Sequence, residues 1–506
     1  MLDYKKQIIS FFLLIIQKLF YWIVFNFVFI RITFFKMIKI KQDIEIINES
    51  KIFDLLEKSN EPTDELVEDI LGKARELNGL ALKEVAVLLN IKQPNQLEQL
   101  FETANYIKDT IYGKRLVLFA PLYTSNYCAN NCLYCGFRAD NREVNRKSLT
   151  LEEIEEETIA ILEQGHKRIL MLMGEDHQKC NLDLFYKQIE KVYSVKDSKG
   201  SQIRRINVEI QPLSEEEFQI LKDIKIGTYT VFQETYHRET YQKMHPSGKK
   251  ANYDWRLQVM DRALANGLHD VGIGVLFGLY DYKFEVLAMI MHAEHLDKTY
   301  GCGPHTISIP RVKLAKNAPA SQNLPYQVDD LSFKKLVAIL RCAVPYTGMI
   351  LSTREPAWLR TELFDMGISQ ISAGSKTTPG GYKQAFNYEF DDAQFSLNDC
   401  RTSGEVIKSV IEQGYIPSFC TSCYRLGRVG SDFMDLAKPG LIKLFCLPNA
   451  LTTLMEYLVD YTDENTKKLG LELIEREIQE IPSENIRTKT REFLQKIEKG
   501  AKDLYF

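Results

Sequence analysis

Between residues 116 and 371, short apolar runs alternate with stretches whose apolar residues recur at helical spacing. The runs cover 116–122, 168–173, 206–210, 228–232, 270–277, 306–309, 349–351 and 368–371, and helical patterns such as 151–163, 254–265 and 333–344 separate most of them. Strands that alternate with helices predict a parallel sheet, and eight of them predict an α/β fold closed into a TIM-type (β/α)8 barrel. An open Rossmann-type sheet is the alternative. No GxGxxG follows a strand, however, and Gly272 and Gly274, inside an apolar run, read as close packing.

The flanks have other patterns. Residues 43–115 read as helices, with a break and a cap at Asn60-Glu-Pro-Thr-Asp64. After residue 375 a loop is followed by a mainly helical extension that ends in a charged helical run over 465–502. The expected organisation is an apolar segment over 1–36, N-terminal helices over 37–115, the barrel over 116–375 and a C-terminal domain over 376–506. The stretch 8–30 is nearly all apolar and long enough to span a bilayer of ~30 Å. Gln17 and Lys18 near its middle are costly in lipid. Basic residues lie on both sides and no small-residue cleavage site is present, so a signal peptide fits poorly. Three readings stay open: a start assigned upstream of the true one, a membrane anchor, and an amphipathic surface segment.

Composition narrows the class. With 506 residues, 45% of them hydrophobic, the chain can bury a large core. A net charge of −4 carries no basic excess, so nucleic acid is not an expected partner and a small-molecule enzyme or a scaffold is.

Six of the ten cysteines fall into two triplets. Cys128, Cys132 and Cys135 have the spacing C-x3-C-x2-C directly after the first strand; Cys420, Cys423 and Cys446 lie in the extension. A 4Fe-4S cube is normally held by four thiolates, so three leave one iron open to a non-protein ligand. The loop after a barrel strand lies on the C-terminal face, where barrel enzymes place their sites. Structural zinc takes four protein ligands, and no fourth Cys or His is close to the first triplet. For the second triplet, spacing alone leaves a zinc knuckle open. The isolated Cys180, Cys302, Cys342 and Cys400 read as small buried side chains.

The first triplet on a parallel barrel resembles the radical S-adenosylmethionine (SAM) superfamily. That resemblance implies a SAM-binding 4Fe-4S cluster on Cys128, Cys132 and Cys135, with Tyr134 near the adenine and Gly174 and Glu175, in Met173-Gly-Glu175, at the SAM amino group. The segments Phe419-Cys-Thr-Ser-Cys-Tyr-Arg-Leu-Gly-Arg-Val-Gly430, Val271-Gly-Ile-Gly-Val-Leu-Phe-Gly-Leu-Tyr-Asp281, Gly303-Pro-His-Thr-Ile-Ser-Ile-Pro-Arg311 and Leu351-Ser-Thr-Arg-Glu355 resemble the HydG family, the tyrosine lyases that mature FeFe-hydrogenase. The barrel segments are also related to 2-iminoacetate synthase of the thiamine pathway, which lacks the C-terminal triplet.

The HydG resemblance implies cleavage of the tyrosine Cα–Cβ bond to p-cresol and dehydroglycine. Dehydroglycine then becomes CO and cyanide at an auxiliary Fe-S cluster on Cys420, Cys423 and Cys446. That cluster carries an additional iron held by free cysteine and one histidine. His292 is the expected ligand, with His295 and His305 as alternatives. Arg354 is expected to fork onto the tyrosine carboxylate, with Ser372 also reaching substrate. The implied partners are L-tyrosine, SAM, free cysteine, a reductant such as ferredoxin or flavodoxin, and other hydrogenase maturases. The implied setting is an anaerobic cytoplasm, with membrane association if residues 1–36 are real.

Overall fold

The computed structural model describes residues 45–176, 178–383 and 392–506. The apolar stretch 8–30 lies outside them. Among the described residues no helix is long and apolar enough to cross a membrane.

Eight parallel strands close a barrel: β1 (Arg115–Ser125), β2 (Arg168–Met173), β3 (Arg205–Glu209), β4 (Tyr229–Thr230), β5 (Val271–Gly274), β6 (Thr306–Ser308), β7 (Gly348–Leu351) and β8 (Gln370–Ser372). Each pairs with the next, and β1 closes the ring by pairing with β2 at Ala120↔Ile169 and with β8 at Val117↔Gln370. The eight apolar runs are these eight strands. Gly272 and Gly274 are there for close packing: a Cβ on Gly272 would lie 2.5 Å from Thr306 Oγ1, and one on Gly274 would lie 2.8 Å from the Ser308 carbonyl.

A ninth strand was not expected. β9 (Ile416–Ser418) pairs in parallel with the first three residues of β1, Arg115 to Val117. It is only three residues long and contains Pro417, which cannot donate to a ladder and therefore suits a sheet edge. β9 delivers the chain directly to Cys420, so the extension is attached at the N-terminal end of the barrel.

Helices at Glu49–Lys58, Asp64–Ala74, Leu82–Leu88 and Pro94–Tyr112 precede β1. The break before Asp64 is made by Thr63, whose hydroxyl accepts from Leu66 N at 3.3 Å. The C-terminal run divides into Glu464–Ile478 and Glu484–Glu498. Pro482 disfavours helix at Ile481, and the Ser483 hydroxyl caps the restart. The pattern at 254–265 likewise resolves into two short helices, Tyr253–Leu257 and Val259–Ala265.

Candidate functional site

Cysteine triplets line cavities at both ends of the barrel. At the C-terminal end, Cys128, Cys132 and Cys135 line one cavity together with Tyr134, Gly174 and Glu175. Burial raises all three thiols, Cys128 to about 12. Three thiols converging on one cavity, each able to lose its proton on binding a metal, form a donor set that fits a cluster.

The neighbours are held firmly. The Tyr134 hydroxyl meets His245 Nε2 at 2.8 Å, which fixes the ring in the cavity wall. The glycine before Glu175 is required by the protein itself: a Cβ on Gly174 would lie 2.1 Å from the Tyr127 carbonyl, on the cysteine loop. Glu175 is already a carboxylate within an ion network. It accepts from Asn130 Nδ2 at 2.6 Å and from Arg256 Nη1 at 3.0 Å, and burial is outweighed by Arg256 and Lys250, so its pKa is lowered. Glu234 completes the network, 2.6 Å from Lys250 Nζ and 3.7 Å from Arg256. Lys250 and Arg256 sit on short helices after β4 and had no sequence motif to announce them.

Below this, Arg354 lines both the cysteine cavity and a second, more apolar one inside the barrel. Its guanidinium lies 3.3 Å from the centre of the Phe395 ring and, among the described residues, forms no ion pair. Ser372 lines the inner cavity; its hydroxyl accepts from Thr353 N at 3.2 Å, which leaves its proton free to donate.

At the N-terminal end, Cys420, Cys423 and Cys446 converge on a further cavity with His305, Arg115 and Arg168. Cys420 follows β9, Cys423 lies in the short helix Ser422–Arg425, and Cys446 lies in the helix Lys443–Tyr461. Burial raises the Cys446 thiol to about 12. Among the described residues no three His, Cys, Asp or Glu side chains close round a single ion. Both triplets instead border cavities, as a cube with its thiolates on separate irons would require.

The structure brings His305, and not His292, to these cysteines. His292 is buried in the helix Tyr282–Tyr300, its Nδ1 bound to the Tyr236 hydroxyl at 2.9 Å, and it lines no described cavity with the second triplet. His295, on the same helix, is bound to Asp261 at 2.6 Å. His292 and His295 both follow β5 on the helix Tyr282–Tyr300, whereas His305 immediately precedes β6 at the barrel's N-terminal end. Burial holds the His305 imidazole neutral, with a pKa lowered to about 4, the form that can ligate. Its Nε2 meets the Tyr424 hydroxyl at 2.5 Å. Its Nδ1 is 3.5 Å from Asp270 but is not aligned for a hydrogen bond.

Three arginines stand at this end of the barrel, and they are the first residues of β1, β2 and β3. Arg168 Nη1 donates to the Cys420 carbonyl at 3.1 Å, whereas Arg115 Nε and Arg168 Nε are buried without partners. Arg205 packs its guanidinium on the Tyr424 ring. This concentration of buried positive charge suits an anionic group, which a thiolate-bound cluster is. Gln370 lines both this cavity and the inner one, so one residue forms part of both walls.

A three-thiolate loop at the C-terminal end of a closed parallel barrel defines the radical SAM class, and the radical SAM superfamily model matches residues 122–292. The Biotin and Thiamin Synthesis associated domain matches residues 308–416. The 2-iminoacetate synthase of Escherichia coli is 32% identical over 346 residues, 68% of this chain and 88% of that one. A crystal structure of HydG, a maturase of the FeFe-hydrogenase, superposes with a TM-score of 0.88 at 49% identity, covering 91% of this chain and 100% of that one. The FeFe-hydrogenase maturase HydG from Carboxydothermus hydrogenoformans gives a TM-score of 0.77 at 41% identity, covering 88% and 97%. The chain belongs to the radical SAM family that includes 2-iminoacetate synthase and HydG.

Proposed function

We propose that the chain is a radical SAM carbon–carbon lyase that cleaves L-tyrosine to p-cresol and dehydroglycine, and dehydroglycine to CO and cyanide, for assembly of the FeFe-hydrogenase active site. The observation that carries this reading is the convergence of Cys420, Cys423, Cys446 and His305 at the far end of the barrel from the first triplet. An enzyme that ended its reaction at dehydroglycine would have no use for a second set of metal ligands. The HydG structure matches 91% of this chain, whereas the 2-iminoacetate synthase match takes in 68%.

When bound at the first triplet, a 4Fe-4S cluster and SAM supply a 5′-deoxyadenosyl radical that takes hydrogen from the substrate. The protein's part is to hold and exclude. Cys128, Cys132 and Cys135 would hold the cluster. Tyr134 would wall the adenine side, and Glu175 would accept from the SAM ammonium while Arg256 and Asn130 keep it in place. Arg354 has its guanidinium uncommitted on the wall shared by the two cavities, where a planar fork can take the α-carboxylate of an amino acid. Ser372 would donate to the same substrate. At the other end, Cys420, Cys423 and Cys446 would hold the auxiliary cluster and His305 the additional iron, whose further ligand is free cysteine. A soft thiolate set with one imidazole suits ferrous iron beside a cluster. A reductant such as ferredoxin or flavodoxin and the other hydrogenase maturases are the expected partners.

The alternative is 2-iminoacetate synthase of thiazole biosynthesis, favoured by the Escherichia coli relative. Product analysis separates the two: reduced, iron-reconstituted protein with SAM and tyrosine yields p-cresol and CO under the maturase reading, and p-cresol without CO under the alternative.

A further inference from the structure

The cavity between Arg354 and the first triplet contains several groups that could accept a proton, and nearly all are occupied. Glu175 is bound to Asn130 and Arg256, and Glu234 to Lys250. The Tyr134 hydroxyl meets His245, and the Tyr123 hydroxyl donates to Gln394 at 2.7 Å. Glu209, the last residue of β3, differs. Its side chain faces the barrel interior and borders both the cysteine cavity and the inner one, as Arg354 does, and among the described residues it has neither a hydrogen-bond nor an ion-pair partner.

A carboxylate without a partner inside a barrel is expensive to keep unless a ligand uses it. The substrate chemistry proposed above supplies the use. An amino acid arrives with an α-ammonium, and a hydrogen atom is taken from nitrogen as a neutral amine only after a proton has left. The ammonium is one carbon away from the carboxylate that Arg354 would grip, and Glu209 borders the same two cavities as that guanidinium.

We propose that Glu209 accepts the proton of the substrate's α-ammonium, a role that rests on the lyase reading above. The step is a simple transfer: the N–H bond breaks heterolytically, its electron pair stays on nitrogen, and the proton joins a Glu209 oxygen to give neutral amine and neutral carboxylic acid. No oxidation state changes.

The surroundings tune Glu209 for this. Burial and the Glu234 carboxylate raise its pKa to about 7, while Arg354, Lys250 and Arg256 pull the other way. A base with a pKa near the working pH is the most effective kind. Glu234 faces it from the segment after β4, Arg354 from the segment after β7, and Lys250 and Arg256 from the helical turns after β4.

The test is the pH profile of tyrosine-dependent 5′-deoxyadenosine and p-cresol formation by the iron-reconstituted full chain. Wild type is expected to show kcat/KM rising through a limb near pH 7. Glu209→Gln is expected to be slower at pH 7 by on the order of 100-fold, to lose that limb, and to regain rate as pH rises towards 9 and the substrate amine frees itself. Glu209→Asp is expected to keep the limb. A Glu209→Gln profile that matches wild type overturns the proposal, as does a loss of rate equal at every pH, which a merely structural role would give. Absence of tyrosine-stimulated 5′-deoxyadenosine from wild type at every pH would overturn the lyase reading, and it is read in a different sample from the variant.

Discussion

The imidazole of His305 meets the phenol hydroxyl of Tyr424 at the N-terminal end of the barrel, one residue along the chain from Cys423. The contact orients the His305 ring in the cavity that Cys420, Cys423 and Cys446 line. With His305 as the ligand of the additional iron, His305→Ala loses about one iron per chain and all CO, and retains p-cresol formation. His292→Ala keeps its iron and its CO. Because it strips the buried Tyr236 hydroxyl of its partner, it costs about 1–3 kcal/mol in folding, read as a lower denaturant midpoint. Iron analysis of the two variants side by side checks this.

Arg256 is bound to Glu175 and lies near Glu234, and all three are largely buried. Removing the cation leaves Glu175 charged in a low-dielectric wall. Arg256→Met is expected to cost about 3–5 kcal/mol of stability in the metal-free protein and to raise the KM for SAM more than that for tyrosine. Urea unfolding and initial-rate kinetics read the two effects separately.

Lys108 is fully buried on the helix Pro94–Tyr112, with Asp109 3.5 Å away and the Tyr415 ring 4.3 Å from its ammonium. Burial lowers its pKa to about 7. The sign follows directly. The unfolded lysine, with an ordinary pKa near 10.4, binds a proton more readily than the folded one, so folding stability falls as pH drops from about 10 to about 7. Lys108→Met removes that dependence and stabilises the protein at pH 7 by about 1–4 kcal/mol, and by less at pH 10. Denaturation curves at the two pH values decide it.

The barrel could be read from the sequence because parallel strands covered on both faces leave continuous apolar runs, and all eight runs became strands. The first site could be read because C-x3-C-x2-C is local. What stayed hidden depends on distance in the chain. His305 comes to share a cavity with Cys420 only through closure of the ring, and β9 has three residues and a proline, too short to carry a pattern. A clue to the lower cavity was present nonetheless: Arg115, Arg168 and Arg205 each open a strand, and residues that open adjacent parallel strands share one end of a barrel. Glu209 gave no signal, since a single carboxylate at a strand end acquires meaning only when its neighbours prove to be occupied.

Successive steps at the two ends of the barrel are read most directly in the fate of carbon from tyrosine labelled at its carboxylate and α-carbons. Reduced, iron-reconstituted wild type with SAM is predicted to release p-cresol together with labelled CO, and Cys446→Ala is predicted to release p-cresol with no labelled CO and to lose the iron of the second site. Release of p-cresol by wild type without labelled CO, or unchanged CO and iron in Cys446→Ala, would contradict it.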